Sequence, residues 1–133
     1  MKRVFILSPA HSGGKRAAML TRPGASFELA GQVQIGAAAL DDVFTFCSGL
    51  YFRGKRLYAD RFAAPPPGVP GVLLITPSRG LVLPETLVGS GDLAEFAAVS
   101  VDSRESRFTT PLRSSAEILA SAGEFQVVLL GSI

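Results

Sequence analysis

The sequence predicts a small α/β fold, a three-layer sandwich whose mainly parallel sheet of three or four strands is flanked by helices. Three short apolar runs predict the main strands, at residues 4–7, 71–76 and 125–130. Each run is continuous instead of alternating, which is typical of strands buried on both faces of a parallel sheet. The intervening segments have helical patterns, and strands that alternate with helices favour parallel pairing.

The first strand, residues 4–7, follows a basic start, Met1-Lys2-Arg3. Its apolar run is shorter than the roughly 7–15 residues of a signal-peptide core. No apolar run in the chain approaches the roughly 20 residues that a membrane-spanning helix needs. We therefore expect a cytoplasmic protein with no membrane partner.

The segment between the first two strands predicts helices at 26–33, 41–47 and 50–62, and the start of another at 17–20 that Pro23 and Gly24 interrupt. The helix at 50–62 has the clearest pattern. Its aromatic row, Tyr51, Tyr58 and Phe62, is predicted to pack into the core, because aromatic side chains dominate burial. Gly54 lies inside this helix, where glycine costs about 1 kcal/mol relative to alanine, so close packing is expected there.

The second half of the chain predicts a strand at 71–76 that ends at Pro77, which has no N–H to donate to a ladder. A helix capped by Ser90 or Asp92 is expected to run to about Ala98, followed by a short edge strand at 99–101. Thr110 and Pro111 predict the start of the last helix, since proline is favoured at the first helical position. The chain ends on its third strand, where this architecture leads us to expect a further loop and helix.

Composition indicates a single domain over residues 1–133 with an ordinary apolar content of 47%. The one cysteine, Cys47, allows no internal disulfide, and its phenylalanine neighbours favour a buried, unreactive thiol. With one cysteine and one histidine, neither a cysteine cluster nor a multi-histidine metal site is expected. We predict no metal and no cofactor.

Charge is distributed unevenly along the chain. Residues 1–61 hold nine Lys/Arg against four Asp/Glu, whereas residues 62–133 hold four against seven. A basic half suggests a surface that meets phosphates, although folding can also mix the two halves into a neutral surface.

The loops after the parallel strands are the predicted binding site, because ligands bind at the carboxyl edge of open α/β sheets. Backbone N–H groups of glycine-rich turns bind anions well. The residues predicted to bind an anion or nucleotide are Ser12, Gly13, Gly14, Lys15, Ser78, Arg79 and Gly80. The first of these loops is not a P-loop, since Pro9 stands in place of its first glycine and Arg16 in place of its Ser/Thr.

Catalytic residues are predicted only in the first loop, where Ser8 or Ser12 could act as nucleophile with His11 as its base. A lone histidine in a polar loop is more often a hydrogen-bonding or exposed residue.

The helix at 50–62 also carries a predicted basic rim of Arg53, Lys55 and Arg56. Basic residues interleaved with tyrosines are typical of nucleic-acid surfaces. Asp60 is expected to pair with Arg56 one turn earlier in the helix.

Three segments resemble the peroxide-stress resistance (YaaA-like) family and related small domains of unknown function associated with deazapurine nucleic-acid modification. The opening Ile6-Leu7-Ser8-Pro9-Ala10 is similar to the family's first strand and turn. The related domains have a helix like that containing Phe52-Arg53, Arg56 and Tyr58-Ala59-Asp60, and a region like Ser78 followed by residues 80–84. His11 stands where the YaaA-like turn has lysine. The resemblance implies a three-layer α/β fold and a polar pocket associated with nucleic acid or nucleotides, with no established reaction.

Three functions remain open from the sequence. The first is binding of nucleic acid or of a phosphate-bearing small molecule. The second is an enzyme acting on a nucleoside or glycosidic substrate, with His11 as acid/base and Ser8 or Arg79 positioning the substrate. The third is a non-catalytic interaction module that forms a homodimer through an uncovered sheet edge.

Overall fold

The computed structural model describes residues 1–10 and 14–131. The elements are, in chain order, β1 (Arg3–Leu7), α1 (Lys15–Thr21), α2 (Glu28–Gln34), β2 (Ala38–Ala39), α3 (Leu40–Ser48), α4 (Leu50–Phe62), β3 (Val72–Thr76), β4 (Gly80–Val82), β5 (Leu87–Val88), α5 (Ser90–Ala97), α6 (Ser106–Ala120) and β6 (Gln126–Leu130).

The main sheet has four strands in the order β4-β3-β1-β6. The central strand β1 pairs in parallel with both neighbours, so that Phe5 lies beside Val72 of β3 and Val128 of β6. β4 returns antiparallel to β3 through a short turn. The three parallel strands are those that the apolar runs predict. β1 and β3 are largely buried, as unbroken apolar sequence favours, whereas β6 is mostly exposed, so its predicted burial on both faces is wrong.

Helices cover both faces of this sheet, which makes three layers. Alternate residues of β1 point to opposite faces. Phe5 and Leu7 belong to the larger core, which also contains Phe44 of α3 and Phe52 of α4. On the other face, Val4 packs in a cluster with Leu119 of α6. The predicted α/β fold class is confirmed.

A second, two-stranded sheet joins β2 to β5 in antiparallel register. The backbone N–H of Leu40 donates to the carbonyl of Thr86 at 2.9 Å, and that of Asp41 donates to the carbonyl of Pro84 at 3.0 Å. These bonds tie the start of α3 to the segment that precedes α5.

Two predictions for the second half of the chain are wrong. Residues 99–101 form no strand, and the fourth strand of the sheet is β4 instead. α6 begins at Ser106, so Pro111 lies inside the helix and not at its first position. Proline there removes one hydrogen bond to the carbonyl of Arg107, and the helix continues because Phe108 and Leu119 are buried against the sheet.

The predicted packing of α4 is also wrong, although its bounds are as expected. Its buried residues are Phe52 and Ala59, whereas Tyr51 is 79% exposed and Tyr58 52% exposed. Phe62 is exposed as well. Gly54 does not serve close packing, since a Cβ there would meet nothing within 4 Å. The apolar residues of α4 lie on several sides of the helix, and burial selects only the side that faces α3 and β1.

Candidate functional site

The carboxyl ends of β1, β3 and β6 meet at one edge of the sheet, because the three strands are parallel neighbours. Ser8 follows β1, Pro77 follows β3, and Gly131 follows β6. The structure therefore confirms that the segments predicted to form the site leave the sheet at the same edge.

A contact between Ser8 and Lys55 is the best-defined polar feature of this edge. Nζ of Lys55, on α4, donates to Oγ of Ser8 at 2.8 Å and to the Ser8 carbonyl at 3.2 Å. The backbone of Gly131 lies against both of these residues. Its φ is +104°, and a Cβ there would lie 2.8 Å from the Ser8 Cβ and 3.1 Å from Nζ of Lys55. Three parts of the chain thus converge on one ammonium group.

The charge of Lys55 is partly desolvated. Burial lowers the pKa of its ammonium group from the ordinary lysine value. Its two acceptors on Ser8 are neutral, and within the described residues no carboxylate oxygen lies within 4.0 Å of Nζ. Nζ also lies 5.4 Å from the centre of the buried Phe52 ring. An ammonium group has three donors and a serine hydroxyl has one, so this pair retains donors for a further acceptor.

Of the first predicted anion-binding loop, Ser12 to Lys15, the structure describes Gly14 and Lys15. Gly14 is the N-cap of α1, and Lys15 is its exposed first residue. His11, Ser12 and Gly13 lie outside the described residues. A groove of about 270 Å³ lies between α1 and α5, and its lining includes Gly14, Ala17 and Ser90.

The second predicted loop, Ser78 to Gly80, is bound to α5. Nη2 of Arg79 donates to Oδ1 of Asp92 at 2.5 Å, and its Nε donates to Oε2 of Glu95 at 2.8 Å. Oγ of Ser78 donates to the same Glu95 carboxylate at 2.5 Å. The hydrogen bonds that Arg79 donates to Glu95 and Asp92 raise the pKa of its guanidinium group. The guanidinium is therefore neutralised by two carboxylates, and its role in this structure is to hold the turn.

Two further contacts shape this turn. Thr76, which is fully buried, donates its hydroxyl to the carbonyl of Gly80 and accepts from the N–H of Arg79, both at 2.9 Å. Gly80 has φ +64° and its backbone lies against Pro111 of α6. Gly80 thus serves the packing of β4 under α6. Thr76 is not among the predicted site residues, and its place next to Pro77 is the only sequence signal for its role.

The predicted basic rim divides into three separate environments. Lys55 reaches Ser8, as described above. Arg56 forms ion pairs with Asp41 at 3.7 Å and with Asp60 at 3.4 Å, so the expected pairing with Asp60 is confirmed. Arg53 is exposed, with no ion pair among the described residues. Sequence spacing identified Lys55 as basic but gave no signal for its contact with Ser8, which is 47 residues away.

Asp92 provides a testable contribution to stability. The N–H of Gly89 donates to its Oδ2 at 2.7 Å, and this bond, followed by the one from Arg79, lowers the pKa of the carboxyl group. The stabilisation is therefore present above the unfolded pKa of about 3.9 and is lost as the pH falls through the lower folded value. We expect Asp92→Ala to cost about 1 kcal/mol near neutral pH, as for loss of a helix cap.

Urea unfolding of wild type and Asp92→Ala at neutral and at strongly acidic pH measures this effect. The difference in urea midpoint between wild type and Asp92→Ala should be smaller at acidic pH than at neutral pH. Glu117→Ala removes an exposed carboxylate on α6 and should change neither midpoint measurably. A difference for Asp92→Ala that is equal at both pH values would contradict the assigned role of the ionised carboxylate.

Cys47 and the possible metal ligands can be assessed from the side-chain positions. Burial raises the pKa of the Cys47 thiol to about 11, and the residue packs against the core, as its neighbours predict. Within residues 1–10 and 14–131, no three His, Cys, Asp or Glu residues come close enough to hold a metal ion. None of the helices described is long and apolar enough to cross a membrane.

Comparison with known proteins adds no relative: no family model, no curated protein and no solved structure matches this chain.

Proposed function

We propose that this chain binds a phosphate-bearing ligand, nucleic acid or a nucleotide, at the carboxyl edge of its sheet. The observation that carries the proposal is Lys55, a partly desolvated cation held against Ser8 by neutral acceptors. Charge-assisted hydrogen bonds to phosphate oxygens are strong, and desolvation strengthens them further. A phosphate oxygen would use the remaining Lys55 donor and the Ser8 hydroxyl.

The surroundings of Lys55 favour a polyanion over an isolated phosphate. Lys15 and Arg53 are exposed cations, the first on α1, which follows β1, and the second on α4, which carries Lys55. Tyr51 lies one helical turn before Lys55 and is 79% exposed. An exposed aromatic ring beside cations is the arrangement on which bases of single strands stack. The resemblance to the YaaA-like family points to the same ligand class.

The structure changes which predicted residues enter this proposal. Arg79 and Ser78 are engaged by acidic side chains of α5, so they support the loop and supply no free charge. Arg56 is likewise paired with carboxylates. The proposed contacts are therefore Ser8, Lys15 and Lys55, with Arg53 and Tyr51 at the margin.

A fluorescence-anisotropy titration with a labelled single-stranded oligonucleotide at low salt tests the proposal, with unlabelled mononucleotides as competitors. Lys55→Ala should weaken binding about tenfold or more, as expected when a charged hydrogen bond worth roughly 1.5–3 kcal/mol is lost. Arg113→Ala removes the same charge from an exposed position on α6, on the other face of the sheet, and should leave affinity within about twofold.

Binding led by phosphates should also fall steeply with salt. For a single strand, the logarithm of the binding constant plotted against the logarithm of the salt concentration should have a slope of roughly −0.7 per phosphate contact. Circular dichroism of each variant checks that the fold is retained. Equal losses for Lys55→Ala and Arg113→Ala would indicate a general charge effect, and no binding by the wild type at low salt would remove the proposal.

A second candidate function, an enzyme acting on a nucleoside or glycosidic substrate, is favoured by the same hydrogen bond. A lysine with a lowered pKa beside a serine hydroxyl can act as its base, as in Ser–Lys nucleophile pairs. Release of free base from nucleosides, measured by chromatography, should then be lost in Ser8→Ala. Unchanged turnover in that variant would exclude this mechanism.

A further inference from the structure

The outer edge of β6 is open in the part of the chain that the structure describes. β1 is its only strand neighbour there. Its sequence, Gln-Val-Val-Leu-Leu, contains no charge and no proline. Natural sheets protect their edges with charged residues, prolines, bulges or covering segments. An unprotected apolar edge of five residues therefore indicates a surface that another strand covers.

The hydrogen bonds between β6 and β1 identify which backbone groups of β6 do not bond to β1. The N–H of Gln126 donates to Lys2, and the carbonyl of Leu130 accepts from Ser8. In a parallel ladder, alternate residues bond to the same neighbour, so Gln126, Val128 and Leu130 face β1. The N–H and C=O groups of Val127 and Leu129 therefore face outward.

Exposed apolar side chains border this edge on both faces of the sheet. Val127 is 49% exposed and Leu129 47% exposed, because α6 packs mainly on β4 and β3. On the opposite face, Tyr58 contacts Phe5, which lies beside Val128, and Phe62 packs against Tyr58 at 4.7 Å between ring centres. Tyr58 and Phe62 are both exposed.

The other edge of the sheet has none of these features. β4 has only three residues, packs against α6, and is followed by Leu83-Pro84. A short edge that runs into proline is protected. With one open edge, pairing between two copies closes on itself and does not continue into a fibre.

We propose that a second copy of this chain pairs with β6, strand against antiparallel strand, about a two-fold axis through Val128. This register places Val127 opposite Leu129 of the partner subunit, so that their outward N–H and C=O groups form four hydrogen bonds. The same axis brings the exposed apolar residues of the two copies together, and no like charges meet within the strand pair. The sheet then has eight strands. This interface does not depend on the proposed ligand.

Sedimentation equilibrium tests the dimer, which should have twice the 13.9 kDa mass of the chain. Leu129→Lys places a charge on the edge and should give a monomer, and the side chain is exposed enough for the monomer to stay folded. Ile118→Lys makes the same kind of change at a 69% exposed position on α6 and should leave a dimer. A monomeric wild type, or a dimer that persists in Leu129→Lys, overturns the proposal.

A cysteine pair tests the register without disturbing the edge. Residues opposite each other in a non-hydrogen-bonded pair have Cα atoms about 4.5 Å apart, within the range for a disulfide. In a Cys47→Ser background, Val128→Cys should form a disulfide-linked dimer on mild oxidation. Val127→Cys should not, because residue 127 lies opposite Leu129 of the partner subunit, so the two introduced cysteines do not face each other. Cross-linking of both variants alike, or of neither, would contradict this register.

Discussion

Replacing Phe52 by alanine is expected to destabilise the fold by about 3–5 kcal/mol, the usual cost of removing a buried aromatic ring. The Phe52 side chain is fully buried, and it meets Phe44 of α3 edge to face at 5.5 Å between ring centres. The substitution leaves a cavity between α3, α4 and the sheet. Since domains of this size are stable by only about 5–15 kcal/mol, the variant should unfold at a much lower urea concentration.

Tyr51→Ala is the matched control, because it removes an aromatic ring from the preceding residue of the same helix. Tyr51 is exposed, so its loss should change stability by less than about 0.5 kcal/mol. Urea unfolding followed by circular dichroism measures both variants. If Tyr51→Ala proved as destabilising as Phe52→Ala, the helix would be buried on a different side from the one described.

Replacing Gly80 by alanine is expected to have a comparable effect, about 3 kcal/mol or more, from backbone strain and overpacking together. Gly80 has φ +64°, a conformation that L-residues adopt at a cost. A Cβ would also lie 2.5 Å from the carbonyl oxygen of Pro111 and 2.8 Å from its carbon, and it would clash with Ser115 Oγ. Helix backbone cannot move aside as a flexible side chain can, so β4 and α6 would separate.

Gly54→Ala provides a control with the opposite expected sign. Gly54 lies in α4 with an ordinary helical backbone, and a Cβ there meets nothing within 4 Å. Alanine should therefore stabilise the protein by up to about 1 kcal/mol through helix propensity. Thermal unfolding of the two glycine variants separates these cases. A Gly80→Ala protein as stable as the wild type would show that α6 is not packed on this turn.

The contacts of Gly131 could not be predicted from the local sequence. A glycine after the last strand is unremarkable in the sequence, yet its backbone lies against both Ser8 and Lys55. The same holds for Thr76, whose hydroxyl links both ends of the turn before β4. Such roles depend on residues far away in the chain, so no local pattern can indicate them.

For Ser78 and Arg79, the sequence predicts the position in the fold but not the interactions. Their position after a buried strand predicts their place at the carboxyl edge, and the structure puts them there. Whether Arg79 is free for a ligand depends on Asp92 and Glu95, which α5 brings to it. Spacing along the chain does not reveal this pairing, because it arises from the packing of separate elements.

The sequence alone determined the α/β class, the three parallel strands and the bounds of α4, because unbroken apolar runs, glycines and prolines act locally on the backbone. Tertiary structure alone decided which side of α4 is buried, which basic residues are neutralised, and that Lys55 meets Ser8. These depend on the relative positions of helices and strands. A helix with apolar residues on several sides can be packed in more than one way, and only the complete fold selects among them.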